Sequence, residues 1–154
     1  MKLITEYLST KVVKPSIIKA TNETINKIAK GELDRLGHDA DLNHIDVSGV
    51  TKMNNLFSCH NDALGLKYQD LNPDISGWDV SNVENMSCMF WFCENFNCNI
   101  SSWDVGKVEN MVSMFDGCIK FNQDLSQWNV NKVKRHSWMF DNCCIRERFK
   151  PKFN

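Results

Sequence analysis

The chain has 154 residues, 42% of them apolar, and a formal charge of −1. That is enough apolar material for one domain of ordinary size with a buried core, and the near-neutral total supplies no bulk attraction to nucleic acid or to a membrane surface. No apolar run approaches the roughly 18 residues that a membrane-spanning helix needs, and Glu6 breaks the first apolar stretch too early for a secretory leader.

Residues 1–40 read as a helical N-terminal cap. Leu3, Ile4, Tyr7 and Leu8 fall on one helical side, and Pro15 interrupts. A second helix is predicted from about Asn22 to Leu36. Thr21 or Asn22 is its N-cap, and Glu23 sits favourably in the first turn. Ile25, Ile28, Ala29, Leu33 and Leu36 form its apolar stripe, and Gly37 ends it. Gly31 weakens it by roughly 1 kcal/mol relative to alanine.

From residue 41 onward the chain repeats. Trp78, Trp103 and Trp128 are 25 residues apart. So are Ile75, Ile100 and Leu125, and the valines of two further positions (Val80, Val105, Val130; Val83, Val108, Val133). Met89, Met114 and Met139 follow in phase, then Phe90, Phe115 and Phe140, then Cys93, Cys118 and Cys143. Met86 and Met111 give way to His136 in the third copy. An earlier copy, Asp46 to Phe57, aligns with Asp79 to Phe90 at an offset of 33, with an insertion across 60–72. The units therefore lie near 41–59, 73–96, 97–121 and 122–144.

The period changes inside each unit. Val108, Met111, Phe115 and Cys118 are spaced as one face of a helical turn, whereas Phe121, Gln123 and Leu125 alternate with polar residues as in a short strand. A unit of that size cannot bury its own apolar side, so it must lie on its neighbours. The expectation is α/β: a right-handed solenoid of about four units with short parallel strands and short helical turns. Like side chains then stack into ladders of Trp, Phe and Cys. Residues 145–154 break the pattern and read as a basic C-terminal cap or tail, stopped by Pro151.

The strings Asn122 to Val130 and Ile75 to Phe90 resemble the repeat of the BspA-like surface proteins, which are grouped with leucine-rich repeats. The resemblance covers roughly residues 41 to 144. It implies a leucine-rich-repeat-like solenoid, a protein-binding role and no catalytic residues. It also implies a source among gut bacteria or their phages. The seven cysteines are an odd number and read as reduced thiols rather than a secreted disulfide framework. The chain is therefore expected in the cytoplasm of a host cell, or in a virion if phage-encoded. Surface placement would require a leader removed from this sequence.

No pattern in the chain carries chemistry. Cys88, Cys93 and Cys98 are too widely spaced for a zinc knuckle and occupy different positions of the unit. His38, His44, His60 and His136 lie in no nucleophile motif, and there is no Gly-rich phosphate loop. The repeated Asp79 and Asp104, with Asn129 third, suit turns that bond their own backbone. Neither enzyme activity, cofactor nor metal is expected.

Charge, in contrast, is segregated. Between Asp70 and Asp116 there are eight acidic residues and one basic, Lys107; between Asn131 and Asn154 there are seven basic and two acidic. The candidate binding residues are Lys132, Lys134, Arg135, Arg146, Arg148, Lys150 and Lys152, together with Leu64, Leu66 and Tyr68 of the insertion. The partner is expected to be another protein or a second copy of the chain, not nucleic acid and not a membrane. The expected function is a non-catalytic protein–protein interaction module. The second reading is a structural or assembly component, virion or cargo, that self-associates by pairing its acidic middle with its basic end.

Overall fold

The computed structural model describes residues 16–59 and 69–153. The first expected helical side (Leu3, Ile4, Tyr7, Leu8) lies outside them. Among the described residues the regular elements are few: strand β1 (Ile18–Lys19), helix α1 (Ile25–Leu36), strand β2 (Ile45–Asp46) and a single 3-10 turn at Glu147–Phe149. β1 pairs in parallel with β2, Ile18 opposite Ile45.

Helix α1 buries Ile25, Ala29 and Leu33, spaced by four on one face, and leaves Leu36 exposed. It starts later than its sequence predicts because Asn22 is used elsewhere. The Asn22 side-chain carbonyl accepts the Thr51 and Lys52 N–H groups at 2.9 and 3.1 Å, tying the segment to the unit beneath it. The first helical turn is closed instead by the Thr21 carbonyl, which accepts the Ile25 N–H at 2.9 Å. Gly37 ends the helix with φ 99° and donates its N–H to the Leu33 carbonyl, a conformation that glycine adopts without a Cβ penalty.

Beyond β2 the backbone follows one scheme. The N–H groups of Met53, Asn55, Phe57 and Cys59 donate to the carbonyls of Asn85, Ser87, Met89 and Trp91 at 2.8–3.0 Å. Those of Met86, Cys88, Phe90 and Phe92 donate to Asn110, Val112, Met114 and Asp116, again at 2.8–3.0 Å. Those of Met111, Ser113, Phe115 and Gly117 donate to Arg135, Ser137, Met139 and Asp141 over the same range. Between these rungs the chain turns on itself. Met89 donates to the Met86 carbonyl and Cys93 to that of Phe90, with Cys88 at φ 54° and Phe92 at φ 59°. Ser113 and Gly117 repeat this at 51° and 78°.

The expected architecture is therefore corrected. The right-handed, leucine-rich-repeat-like solenoid with helical turns and short parallel strands in each unit is not what these residues build. Residues at positive φ recur every four positions where a helical turn was expected, and a right-handed helix excludes them. The alternating stretch Phe121, Gln123 and Leu125 forms no strand, and isolated parallel bridges join Asp41 with Asp74 and, where the helical turns were expected, Lys52 with Asn85, Asn85 with Asn110 and Asn110 with Arg135. The apolar spacing of three and four that suggested a helix comes from consecutive hydrogen-bonded turns.

The core is aromatic. Phe57, Phe90, Phe115 and Phe140 follow one another with ring centroids 5.7, 5.5 and 5.7 Å apart and nearly parallel planes. Phe96 stacks on Phe90 at 3.9 Å and Phe121 on Phe115 at 4.3 Å. Trp78, Trp103 and Trp128 are buried at 4–5% exposure. Each donates its indole N–H to a carbonyl of the preceding unit, on Leu42, Ile75 and Ile100 at 3.0, 3.3 and 3.3 Å. Their ring neighbours are phenylalanines: Phe57 for Trp78, Phe90 for Trp103 and Phe115 for Trp128.

Candidate protein interface at the last unit

Asp and Asn side chains recur at the bends because each accepts the N–H two residues on. Asp74 accepts from Ser76, Asp79 from Ser81, Asn85 from Ser87, Asp104 from Gly106, Asp124 from Ser126 and Asn129 from Asn131. These side chains stabilise local turns. The Ser76 and Ser126 hydroxyls and N–H groups hold the carboxyls of Asp74 and Asp124 below the usual carboxylate range. A second asparagine series links units: the side-chain carbonyls of Asn72, Asn97 and Asn122 accept the N–H groups of Asn97, Asn122 and Arg146 at 2.9, 3.1 and 3.1 Å.

Cys59, Cys93 and Cys118 are buried, Cys88, Cys98 and Cys143 are half-buried, and Cys144 is exposed. Cys93 and Cys118 donate their thiols to the Phe57 and Phe90 carbonyls at 2.9 and 3.0 Å, and burial pushes both thiols up. Burial raises Cys143 to about 11. Among the described residues, no group of three or more His, Cys, Asp or Glu side chains is arranged to hold a metal ion.

The unit at 122–144 differs from those before it in its backbone bonds and in three side chains. By register, the N–H groups of His136, Trp138, Phe140 and Asn142 correspond to the donor rows that face the next unit elsewhere. Among the described residues these four meet no acceptor. Three side-chain positions change at the same place. Arg135 stands where Asn85 and Asn110 accept the N–H two residues on, His136 replaces buried methionine, and Trp138 replaces Cys88 and Ser113. Trp138 is 64% exposed at φ 57°.

The tail covers the apolar interior of this unit. Ile145 and Pro151 are buried, Phe153 stacks on the His136 ring at 4.0 Å, and the Lys150 ammonium lies 5.6 Å from the Phe140 ring centroid. Leu125 donates its N–H to the Phe149 carbonyl at 2.8 Å.

The basic residues form two groups. Lys132, Lys134 and Arg135 surround Glu109. Lys134 donates to its carboxylate at 2.9 Å, and the three cations together hold that carboxyl low, Lys134 contributing most. Arg146 and Arg148 flank the Phe149 ring at 5.7 and 4.9 Å, while Lys150 pairs with Glu147 at 2.5 Å. Lys152 is exposed. Leu64, Leu66 and Tyr68 lie outside the described residues. The open donor row and the asparagine series are features that the sequence did not announce. Their signals were present: the replacements at 135, 136 and 138, and Asn72, Asn97 and Asn122 at 25-residue spacing.

No helix among the described residues is long and apolar enough to cross a membrane. The model of a family described as "Mycoplasma protein of unknown function, DUF285" matches residues 62–149. This is consistent with the BspA-like resemblance. No curated protein and no solved structure matches the chain.

Proposed function

Because the chain belongs to the family described as Mycoplasma protein of unknown function, DUF285, a description that assigns no activity, we propose from its last unit that it is a non-catalytic protein–protein interaction module binding through its C-terminal end. The observation that carries this reading is the open edge of residues 135–142, where an exposed tryptophan, an unanswered row of backbone donors and a basic flank coincide. Exposed aromatic anchors beside cations are the commonest energetic centres of protein interfaces. Capture of a partner from the native host, compared between the wild-type chain and Lys134→Glu/Arg135→Glu, tests it. Partner capture falls at least tenfold in the variant while its thermal unfolding stays cooperative. Undiminished capture by the variant rejects the C-terminal end as the binding surface.

A second reading is favoured by the charge segregation: a structural or assembly component in which the basic end of one copy meets the acidic middle of another. Sedimentation at low and high salt separates the two. Oligomers that dissociate as salt is raised support assembly, and a monomer at every salt concentration removes it.

A further inference from the structure

Two of the buried thiols touch. The Cys59 and Cys93 Sγ atoms lie 3.7 Å apart, and both side chains are buried. The sulfurs of a disulfide sit at about 2.05 Å, so closing one here needs an approach of under about 2 Å, within reach of small side-chain rotations.

The contact comes from a break in phase. Cys93 and Cys118 follow Phe90 and Phe115 by three residues, whereas Cys59 follows Phe57 by two. Cys118 and Cys143 turn their thiols to the Phe90 and Phe121 carbonyls at 3.0 and 3.7 Å. The Phe57 carbonyl, in contrast, gathers two sulfurs: Cys93 donates to it at 2.9 Å, and the Cys59 thiol lies 3.9 Å from the same oxygen. The backbones are already fixed beside each other, Phe57 and Cys59 donating their N–H groups to the Met89 and Trp91 carbonyls at 2.9 and 3.0 Å. The two units are thus held in register while the sulfurs close.

The two thiols are not equivalent. The Cys93 thiol beside it holds the Cys59 thiol below its ordinary value, whereas burial pushes Cys93 up. Cys59 is the sulfur that ionises first and attacks, and Cys93 is the one that resolves.

We propose that Cys59 and Cys93 form a redox modification site, closing to an intramolecular disulfide when a peroxide oxidises the chain and clamping together the two units that the 60–72 insertion separates in sequence. The Cys59 thiolate attacks one peroxide oxygen and the O–O bond breaks. The other oxygen leaves as hydroxide, takes up the proton that Cys59 gave up and becomes water, and Cys59 is left as a sulfenic acid. The Cys93 sulfur then attacks the Cys59 sulfur, the S–O bond breaks, and the hydroxyl leaves as a second water with the Cys93 proton. The thiol pair loses two electrons and two protons, and the peroxide is reduced to two waters. Hydrogen peroxide is little larger than water and reaches such a pair through local openings of the native state.

The test treats the folded full chain with hydrogen peroxide, blocks the remaining thiols and maps the unreduced digest by mass spectrometry. A Cys59–Cys93 linked peptide pair is the dominant product. The thermal midpoint of the oxidised chain rises by about 5–10 °C and returns on adding dithiothreitol. Cys59→Ser removes both the linked pair and the rise, while its reduced form still unfolds cooperatively. Cys144→Ser, which removes the exposed thiol, leaves both in place. Linkage through Cys144 instead, sulfinic acid at Cys59 without linkage, both thiols left intact, or a Cys59–Cys93 bond that forms only in urea overturns the proposal.

Discussion

At the scale of single residues, the structure is held by polar side chains that serve the backbone. The indole N–H of Trp103 meets the Ile75 carbonyl inside the core. Phenylalanine there would keep most of the apolar burial and lose this bond, while the Ile75 carbonyl keeps the Trp78 N–H at 3.1 Å. Trp103→Phe is therefore expected to cost about 0.5–1.5 kcal/mol, read as a drop in the denaturation midpoint without a change in slope. Asn97 does double service. Its side-chain carbonyl accepts the Asn122 N–H and the Gln123 amide, so Asn97→Ala should destabilise by about 1–2 kcal/mol, whereas alanine at Asn129, equally exposed and accepting one local turn bond from Asn131, should cost less. The turn carboxylates give a pH signature. Asp46, Asp74, Asp79 and Asp124 all have lowered folded-state values, the serine hydroxyl two residues on being the chief cause in each. A lowered value means stability that is present above the unfolded carboxylate pKa of about 4 and is lost as pH falls through the folded value. Asp74→Asn/Asp124→Asn should thus flatten the acid limb of the stability–pH profile by lowering stability at pH 7 while changing little well below about pH 4, as followed by urea unfolding across that range.

At the scale of elements, two glycines make opposite predictions. Gly31 lies within α1, and a Cβ added there would meet nothing within 4 Å. Gly31→Ala gains helix propensity and should stabilise by roughly 0.5–1 kcal/mol. Gly117 sits at φ 78° in the turn of its unit, and an added Cβ would come 2.9 Å from the Phe92 ring and 3.2 Å from its Cα. Gly117→Ala meets both the left-handed penalty and this contact, and should cost about 1–3 kcal/mol. Thermal unfolding of the pair reads both signs in one experiment. α1 was legible because its apolar residues recur at helical spacing and Gly37 marks its end. Its true start was not, since Asn22 is drawn to Thr51, a residue 29 positions away that no local pattern connects to it. The expected helical face of Val108, Met111, Phe115 and Cys118 has the same spacing, yet it forms turns. There the competing partners are carbonyls of the following unit, and four such bonds at 2.8–3.0 Å outweigh local helix formation.

At the scale of the whole molecule, the interior is a run of phenylalanines without a break from Phe57 to Phe140. Phe115 is central, touching Phe90, Phe121, Phe140 and Trp128. Phe115→Ala should cost about 3–5 kcal/mol and unfold units on both sides of it together, which denaturation followed at Trp78 and Trp128 would show as coincident transitions. The chain's free thiols divide accordingly. Cys93 and Cys118 are buried with raised thiols, while Cys144 is exposed. Alkylation of the native protein should label Cys144 within minutes and leave Cys93 and Cys118 unmodified until unfolding.

The amino-acid sequence alone determined which residues recur, which of them are apolar enough to be interior, and that the charge of the middle opposes that of the end. Those are properties of composition and spacing, and one chain carries them openly. Whether a given spacing becomes helix, strand or turn was decided by tertiary structure. A backbone N–H takes the best acceptor within reach, and here that acceptor sits some 25 residues further along.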